Sequence, residues 1–317
     1  MRWLTRSLGA ILFIAAIVLP LLAPTYYVQF ATKVFILGIL AMALNLVVGF
    51  GGLVSMCHAA FYGLAGYALA LATPKYEPAS LWLTLPLGVA IASAAALAIG
   101  ALSLRTRGVY FIMVTLAFGE MLFYLLHDTK FAGGSDGAFI NYKPEAMLFG
   151  WTGLDLEKAR VFYWTVLAFT AITLLILYTI TRAPFGRALA AARDNDRRAR
   201  SLGFPIYRLR LTAFVISGAL AGVAGYFAAA QFGFVAPQML GWHQSAIALV
   251  MVVLGGQRSV AGPLLGAVIV LGLEETLKGL TEYWKLAEGL IIIVMVLAFP
   301  AGVQSLLARI LPERRDD

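Results

Sequence analysis

The sequence predicts an all-α, polytopic integral membrane protein with eight to ten transmembrane helices. Of its 317 residues, 61% are hydrophobic and only 13% are charged, whereas a soluble domain has about 45–50% apolar and about 25% charged residues. Apolar segments of roughly 20 residues, the length that crosses a bilayer as a helix, recur along the chain. The single cysteine, Cys57, excludes both a disulfide framework and a cysteine-rich metal site.

Candidate spans follow one another almost without interruption, and two of them are ambiguous. The spans 30–49 and 52–73 are separated only by glycines, so they form either a tight hairpin or one broken helix. The segment 241–257 is short enough to be re-entrant. The candidate spans are 7–24, 30–49, 52–73, 81–104, 108–127, 161–181, 211–232, 241–257, 262–280 and 287–308.

The first span is either a retained anchor or a cleaved signal peptide. Arg2 and Arg6 precede its apolar run, as in a secretory signal. The stretch that follows, Leu22-Ala23-Pro24, does not match the small-x-small pattern of a cleavage site. We therefore predict a retained anchor.

The placement of arginine predicts that both chain termini are cytoplasmic. Lys and Arg concentrate in the cytoplasmic loops of membrane proteins. With ten spans and a cytoplasmic N-terminus, most of the 24 basic residues lie inside, and all of these are arginine. The net charge of +8 is thus explained by topology, and no nucleic-acid partner is predicted. The inner arginines are Arg2, Arg6, Arg105, Arg107, those between 182 and 210, Arg258, Arg309, Arg314 and Arg315.

The chain 1–317 is predicted to form a single membrane domain with two long loops, an outer one at about 128–160 and an inner one at about 182–210. We call the inner one the arginine-rich loop. Its residues favour a helix, with Asp194 or Asn195 as the cap of a short helix at 196–202. Gly203 suits the position after the helix, and Pro205 suits a stop just beyond it.

Two interpretations of the arginine-rich loop stay open on composition alone. Its short helix can dock into a groove on a cytoplasmic partner, with Ala199 and Leu202 as apolar anchors. Alternatively, it is a solvated basic loop that follows the positive-inside rule and lies on anionic lipid.

Several stretches, taken together and in order, resemble one family. They are ALNLVVGFGGLVSMCHAAF at 43–61, RGVYFIMVTLAFGE at 107–120, GGSDG at 133–137, PFGRAL at 184–189, ARSLG at 199–203, VLGG at 253–256 and GPLLG at 262–266. The family is the LivM-like branch of the inner-membrane permeases of branched-chain amino acid ABC importers. One departure is Met56-Cys57, where the family usually has a small or aliphatic residue and then glycine.

The resemblance implies a transport subunit in a bacterial inner (plasma) membrane, and not an enzyme. Its implied partners are a second, related permease, two cytoplasmic ATP-binding subunits and a periplasmic or extracellular solute-binding protein. The sequence has no Gly-x-x-x-x-Gly-Lys-Ser/Thr stretch, so no cofactor is expected on this chain and ATP is used by the partners. Outer-loop candidates for contact with the binding protein are Gly133, Gly134, Ser135 and Asp136. The implied ATPase-coupling residues are Arg187, Asp194, Asn195, Arg197, Ala199, Arg200, Leu202 and Gly203.

Polar residues at membrane depth are candidates for the solute path or a gate. Glu120 lies about 12 residues into its span and either pairs with a neighbouring helix or lines the path. Ser55 and His58, spaced i and i+3, would share a helix face, and interhelical hydrogen bonding is the alternative. Asn45 beside the glycines either satisfies freed backbone groups or contacts solute. Three scattered histidines predict no metal site.

Small-residue patterns predict close helix packing at Gly218-x-x-x-Gly222 and Gly262-x-x-x-Gly266.

Two other functional classes are alternatives to the importer. A stand-alone secondary transporter or channel for small polar solutes would follow an ion gradient rather than ATP. A membrane enzyme would require a clustered catalytic set, which the sequence does not reveal. The substrate stays open among branched-chain or other amino acids, amides and urea.

Overall fold

The computed structural model describes residues 16–74, 76–146, 155–299 and 302–303. Residues 16–22 are helical, but the first half of the predicted first span, 7–15, and the arginines near both termini lie outside the described residues. The helices are α1 (Thr25–Asn45), α2 (His58–Ala72), α3 (Leu81–Ser103), α4 (Val109–Asp128), α5 (Ala159–Arg182), α6 (Pro184–Asp194), α7 (Asp196–Ser201), α8 (Ile206–Phe232), α9 (Trp242–Gly255), α10 (Gly262–Leu280) and α11 (Trp284–Ala298).

The prediction of an all-α, polytopic membrane protein is confirmed. Within the described ranges the only strands are β1 (Ala138–Phe139) and β2 (Phe234–Val235), which pair antiparallel. The helices α2 and α9 are apolar but shorter than a full span. Helices that are long and apolar enough to cross a membrane cover Thr25–Phe50, Leu81–Ser103, Val109–Asp128, Ala159–Arg182 and Ile206–Phe232.

One end of the bundle collects the connections that carry arginine. Arg107, just before α4, pairs with Asp196 of the arginine-rich loop at 3.5 Å. At the same end, the Asn45 amide donates to the Ser259 carbonyl at 2.7 Å and joins the end of α1 to the α9–α10 connection. We call this side the arginine end.

The opposite ends of the same helices meet on the other side, which we call the strand end because it contains β1 and β2. Lys33 near the start of α1 lies 3.7 Å from Glu274 near the end of α10. The Gln231 amide, near the end of α8, donates to the Gln29 carbonyl at 2.8 Å. Successive helices therefore run in alternating directions, as the topology predicted from arginine requires.

The helices α1 and α8 form the centre of the bundle. Of the most apolar window in each helix, 83% is buried in Thr25–Phe50 and 78% in Ile206–Phe232, against 17% in Val109–Asp128. Because lipid provides no hydrophobic force between helices, this burial depends on close packing of small residues.

Glycines on α8 permit that close packing. A Cβ at Gly222 would stand 2.7 Å from the Ala92 Cβ of α3, and one at Gly218 would clash with the Ala96 Cβ. On the other face, a Cβ at Gly225 would collide with the Tyr62 carbonyl oxygen of α2. The predicted close approach at Gly218-x-x-x-Gly222 is confirmed.

The second small-residue pattern also lies at a helix contact. A Cβ at Gly266 of α10 would collide with the Met251 carbonyl of α9, and one at Gly255 with the Gly262 carbonyl. The predicted close approach at Gly262-x-x-x-Gly266 is therefore confirmed as well.

The glycine-rich break is neither a tight hairpin nor a single broken helix. The chain leaves α1 through a π-helical turn, Leu46–Phe50, and continues without helix until α2 begins at His58. The expectation that Ser55 and His58 share a helix face is therefore wrong, because Ser55 precedes the helix. The unusual Cys57 is fully buried and lies beside Gly119 of α4.

We predict that Gly225→Ala destabilises the fold and that Gly272→Ala does not. The methyl group at 225 meets a backbone carbonyl that cannot rotate away, an overpacking that costs about 1–3 kcal/mol. At Gly272 nothing lies within 4 Å of the new methyl group. Thermal unfolding of the purified protein in detergent measures both, and equal melting temperatures would contradict the α2–α8 contact.

Candidate functional site

The arginine-rich loop folds into two short helices, α6 and α7, and the residue between them caps the second helix. Helix α6 begins with Pro184 at its first turn, a position that tolerates a residue without an N–H. It ends at Asp194, and the Asn195 side chain then accepts the Arg198 N–H at 3.0 Å as the cap of α7. Gly203 follows with φ +84°, a left-handed conformation that favours glycine. The predicted cap and the predicted stop are both confirmed.

The buried face of this loop is apolar and packs on its own chain. Leu189, Ala192 and Ala199 are almost fully buried, and Ile206 at the start of α8 packs with the last two. Ala199 is therefore not available as an anchor for a partner, contrary to expectation. Leu202 is 69% exposed and lies beside the exposed Phe204, so the apolar surface offered to a partner begins at Leu202.

Asp196 holds the loop through three arginines from different parts of the chain. Its carboxylate lies 3.1 Å from Arg200 on α7, 3.5 Å from Arg107 and 3.5 Å from Arg210 on α8. Only about a fifth of the Asp196 side chain is exposed, and Arg210 is more buried still. Burial of both partners strengthens the Asp196–Arg210 pair relative to exposed ion pairs. Asp196 therefore fixes α7 against α8, and the exposed Arg107 adds a weaker pair from the residues just before α4. The sequence reasoning named its neighbours and missed Asp196 itself.

Arg193 connects the loop to the break after α1. Its guanidinium donates to the Gly49 carbonyl in the π-helical turn, and its other nitrogens donate to Asp194 at 2.9 and 3.1 Å. Gly52 lies directly against the Arg193 side chain and has φ +68°. A cleft of about 390 Å³ opens here, lined in part by Gln257. The loop is therefore bonded directly to the turn that follows α1.

Most of the other residues that the family resemblance implies for ATPase coupling lie on the exposed side of the loop. Arg197 and Arg200 are exposed, as are Asp194 and Leu202. Arg187 is exposed on α6. Their exposure makes these side chains accessible to a partner, although Arg200 also pairs with Asp196.

Ser55 and His58 belong to a buried hydrogen-bond chain. Ser217 of α8 donates to the Ala43 carbonyl at 2.5 Å. Because its proton is used there, the His58 Nε2–H must donate to Ser217 at 2.7 Å, and His58 Nδ1 must accept from Ser55 at 3.0 Å. The chain ties α2 to α8 and α1.

Asn45 lies close to this chain of hydrogen bonds, and it is buried as well. Its side chain bonds to Ser259, as described above, and is 1% exposed, while Ser55 and His58 are fully buried. Contact of any of the three with solute would require this packing to open. Their role in the solute path stays a prediction.

Glu120 bonds to the first N–H of α9. As the twelfth residue of α4 it lies about 16 Å from the start of that helix, well within membrane depth. Its Oε1 accepts the Trp242 N–H at 3.2 Å, and a carboxylate at a helix N-terminus is favourable. The short segment 241–257 therefore starts beside the middle of α4, packed against protein, an environment in which irregular backbone is tolerated in membrane proteins.

The outer loop places its GGSDG stretch against β2. Lys130–Ala132 and Gly134–Asp136 are 3₁₀ turns, with Gly133 between them at φ +87°. A Cβ at Gly137 would collide with the Val235 carbonyl. The candidates Gly133, Gly134, Ser135 and Asp136 thus lie at the strand end, opposite the arginine-rich loop.

Comparison with known proteins decides the family. The family model described as branched-chain amino acid transport system / permease component matches residues 26–299. The chain belongs to that permease family. The permease protein LivM of the high-affinity branched-chain amino acid transport system of Salmonella typhimurium is 34% identical over 92% of this chain and 73% of its own length. LivM of Escherichia coli K12 has the same identity and coverage, and LivH of that organism is 31% identical over 46% of each chain. No solved structure matches the chain significantly.

Membership in the permease family agrees with the resemblance read from the sequence. The chain is thus a multi-pass membrane protein of a transporter permease family. Asp196, Arg193 and Arg210 were not predicted as site residues. One feature of the sequence could have indicated them: the loop contains acids among its arginines, whereas the positive-inside rule needs only positive charge.

We predict that Asp196→Asn loosens α7, because Arg107, Arg200 and Arg210 then repel one another without a counter-charge. The expected cost is about 1–2 kcal/mol, between that of exposed and buried ion pairs. Hydrogen exchange of the backbone amides at 196–202 should accelerate. The matched control is Asp194→Asn, which removes an exposed carboxylate paired only with the adjacent Arg193; equal exchange in both variants would contradict the role of Asp196.

Proposed function

We propose that this chain is one of two permease subunits that form the translocation pathway of an ATP-driven importer for branched-chain or related amino acids. The supporting relatives are permease proteins of branched-chain amino acid transport systems. The observation that carries the proposal is the arginine-rich loop. It is fixed to the bundle by Arg193 and Asp196 on one side and offers exposed arginines, Leu202 and Phe204 on the other.

The proposed partners follow from the two ends of the bundle. Two ATP-binding subunits dock on the arginine end, which is then cytoplasmic, as are both chain termini. A solute-binding protein docks at the strand end near Gly133–Gly137. This chain carries no ATPase site and binds no cofactor; ATP is used by the partner subunits. The membrane is the inner membrane of a bacterium.

The sister permease is proposed to face α4. This helix is the least buried of the long apolar ones, yet it carries Glu120 at membrane depth. A charged side chain that faces lipid is costly, so the helix face that carries it usually contacts protein or a water-filled path. Glu120 is therefore our candidate for the pathway wall in this chain.

The proposed mechanism is alternating access. Closure of the ATP-binding subunits moves α6 and α7, and the Arg193–Gly49 bond passes that movement to the end of α1. Gly49, Gly51 and Gly52 carry no side chains that would obstruct a change of backbone conformation after α1.

Reconstitution tests the proposal. The test uses proteoliposomes that contain this chain, its sister permease and the two ATPases, with the co-encoded binding protein outside. They should take up leucine only when ATP is enclosed in the lumen, on the side that carries the ATPases. Uptake that follows an ion gradient without the ATPases would favour the secondary transporter instead. Uptake of an amide or urea, but not leucine, would correct the substrate.

We predict that Gly203→Val uncouples ATP hydrolysis from leucine uptake while membrane insertion stays intact. A β-branched residue at φ +84° strains the end of α7 by about 1–3 kcal/mol and displaces Leu202. Arg200→Gln, which removes one partner of Asp196, should act in the same direction. The control is Gly279→Val on the exposed last turn of α10, where nothing lies within 4 Å of the new side chain. Normal coupled uptake in both loop variants would count against the loop.

A further inference from the structure

A cavity of about 260 Å³ lies at the strand end between α1, α2, α8, α9 and α10. None of the residues that the sequence suggested for the solute path lines it. Its size is just below the roughly 300–1,000 Å³ of pockets for drug-sized ligands, so it suits a smaller molecule. The lining residues all come from this chain.

The inner wall of the cavity is aliphatic. Ile36 and Leu37 of α1, Ile247 of α9 and Leu271 of α10 contribute to it. Ile36 and Leu271 are almost fully buried, which holds this wall in a fixed shape. A branched aliphatic side chain would replace void with van der Waals contact here.

The rim carries a cation without a close partner. The Lys33 ammonium is 3.7 Å from Glu274, well beyond the 2.7–2.9 Å of a charge-assisted hydrogen bond. Glu274 is instead engaged by Lys278 at 2.5 Å. Within the described part of the chain, Lys33 thus has an ion-pair neighbour but no hydrogen-bond acceptor. Its ammonium retains donors for a ligand.

The rim also carries an acceptor without a donor. The Gln231 amide nitrogen donates to Gln29, which orients its Oε1 the other way. This Oε1 is buried and has no hydrogen-bond partner among the described residues. A buried acceptor left unpaired costs about 1–3 kcal/mol, which a ligand N–H would recover.

These groups together match a zwitterion with an aliphatic tail. We propose that the cavity binds a free aliphatic amino acid, with its carboxylate on Lys33, its ammonium on Glu274 and Gln231 Oε1, and its side chain against Leu271 and Ile36. The inference rests on the proposed transport function and adds a binding site for the transported amino acid within this chain. A zwitterion also suits the depth of the site, because it brings no net charge into the membrane.

Equilibrium binding of radiolabelled leucine tests the site. The sample is the full complex of both permeases and the ATPases in nanodiscs, without the binding protein. Wild type should bind leucine saturably. Lys33→Gln should weaken binding about tenfold or more, since it removes a charge-assisted bond, and Lys33→Arg should restore much of it. Lys278→Gln is the matched control: it pairs with the same Glu274 but does not line the cavity.

Analogue competition separates a local role of Lys33 from a general loss of structure. Leucinol keeps the ammonium and the side chain but lacks the carboxylate. It should compete poorly in wild type and almost as well as leucine in Lys33→Gln, because both then lack the same contact. Equal melting temperatures of the two lysine variants would exclude unfolding as the cause.

Three outcomes would overturn the site: no saturable leucine binding by wild type, unchanged binding in Lys33→Gln, or equal loss in Lys33→Gln and Lys278→Gln. The proposed function fails separately. If leucine uptake depends on ATP but leucine binding does not depend on Lys33, only the proposed binding site is contradicted. If leucine binding is saturable and depends on Lys33 but uptake does not depend on ATP, the importer function is contradicted and the binding site is supported.

Discussion

The fold depends on satisfying backbone carbonyl groups around the break in the chain after α1. In a membrane region no water competes for an unpaired carbonyl or N–H, so each must find a partner in the protein. The Ser217 hydroxyl donates to the Ala43 carbonyl, and the Arg193 guanidinium donates to the Gly49 carbonyl. The Asn45 amide donates to the Ser259 carbonyl. These three bonds come from α8, the arginine-rich loop and α1 itself. The break therefore joins α1, α8, the arginine-rich loop and the α9–α10 connection at the arginine end.

The same constraint explains the packing around the break. Helices α2 and α8 must approach closely for His58 to reach Ser217, and glycine makes that approach possible at Gly225. A larger residue at Gly225 would push α2 away and stretch the buried hydrogen-bond chain. Polar network and small-residue packing are thus one arrangement, in which neither part is stable without the other.

Local signals in the sequence were sufficient for the helices and for the turn at Asn195 and Gly203, because apolar length, capping and left-handed glycine act within a few residues. They failed where a contact joins distant segments. Asp196 looked like one acid in a basic loop, and only the fold brings Arg107 and Arg210 to it. Likewise Lys33 and Glu274 are far apart in the sequence, and only the fold places them 3.7 Å from each other. Ser55 and His58 were placed on one helix face, whereas the bond between them crosses a non-helical turn.

Helix α1 connects the two proposed sites physically. At the arginine end, the turn that follows this helix accepts the bond from Arg193 at Gly49, and the helix itself carries Lys33 and Ile36 into the cavity at the strand end. From Lys33 to Gly49 is about 24 Å at helical rise, and the helix is buried along most of that length. A buried helix cannot bend freely without opening voids, so a displacement at the loop must shift or rotate the helix as a unit. Because the Lys33–Glu274 pair is already long, a small shift of α1 against α10 changes the distance between the two charges that a zwitterion would bridge. Coupling between the ATPase side and amino-acid affinity then requires only one rigid element with a contact at each end.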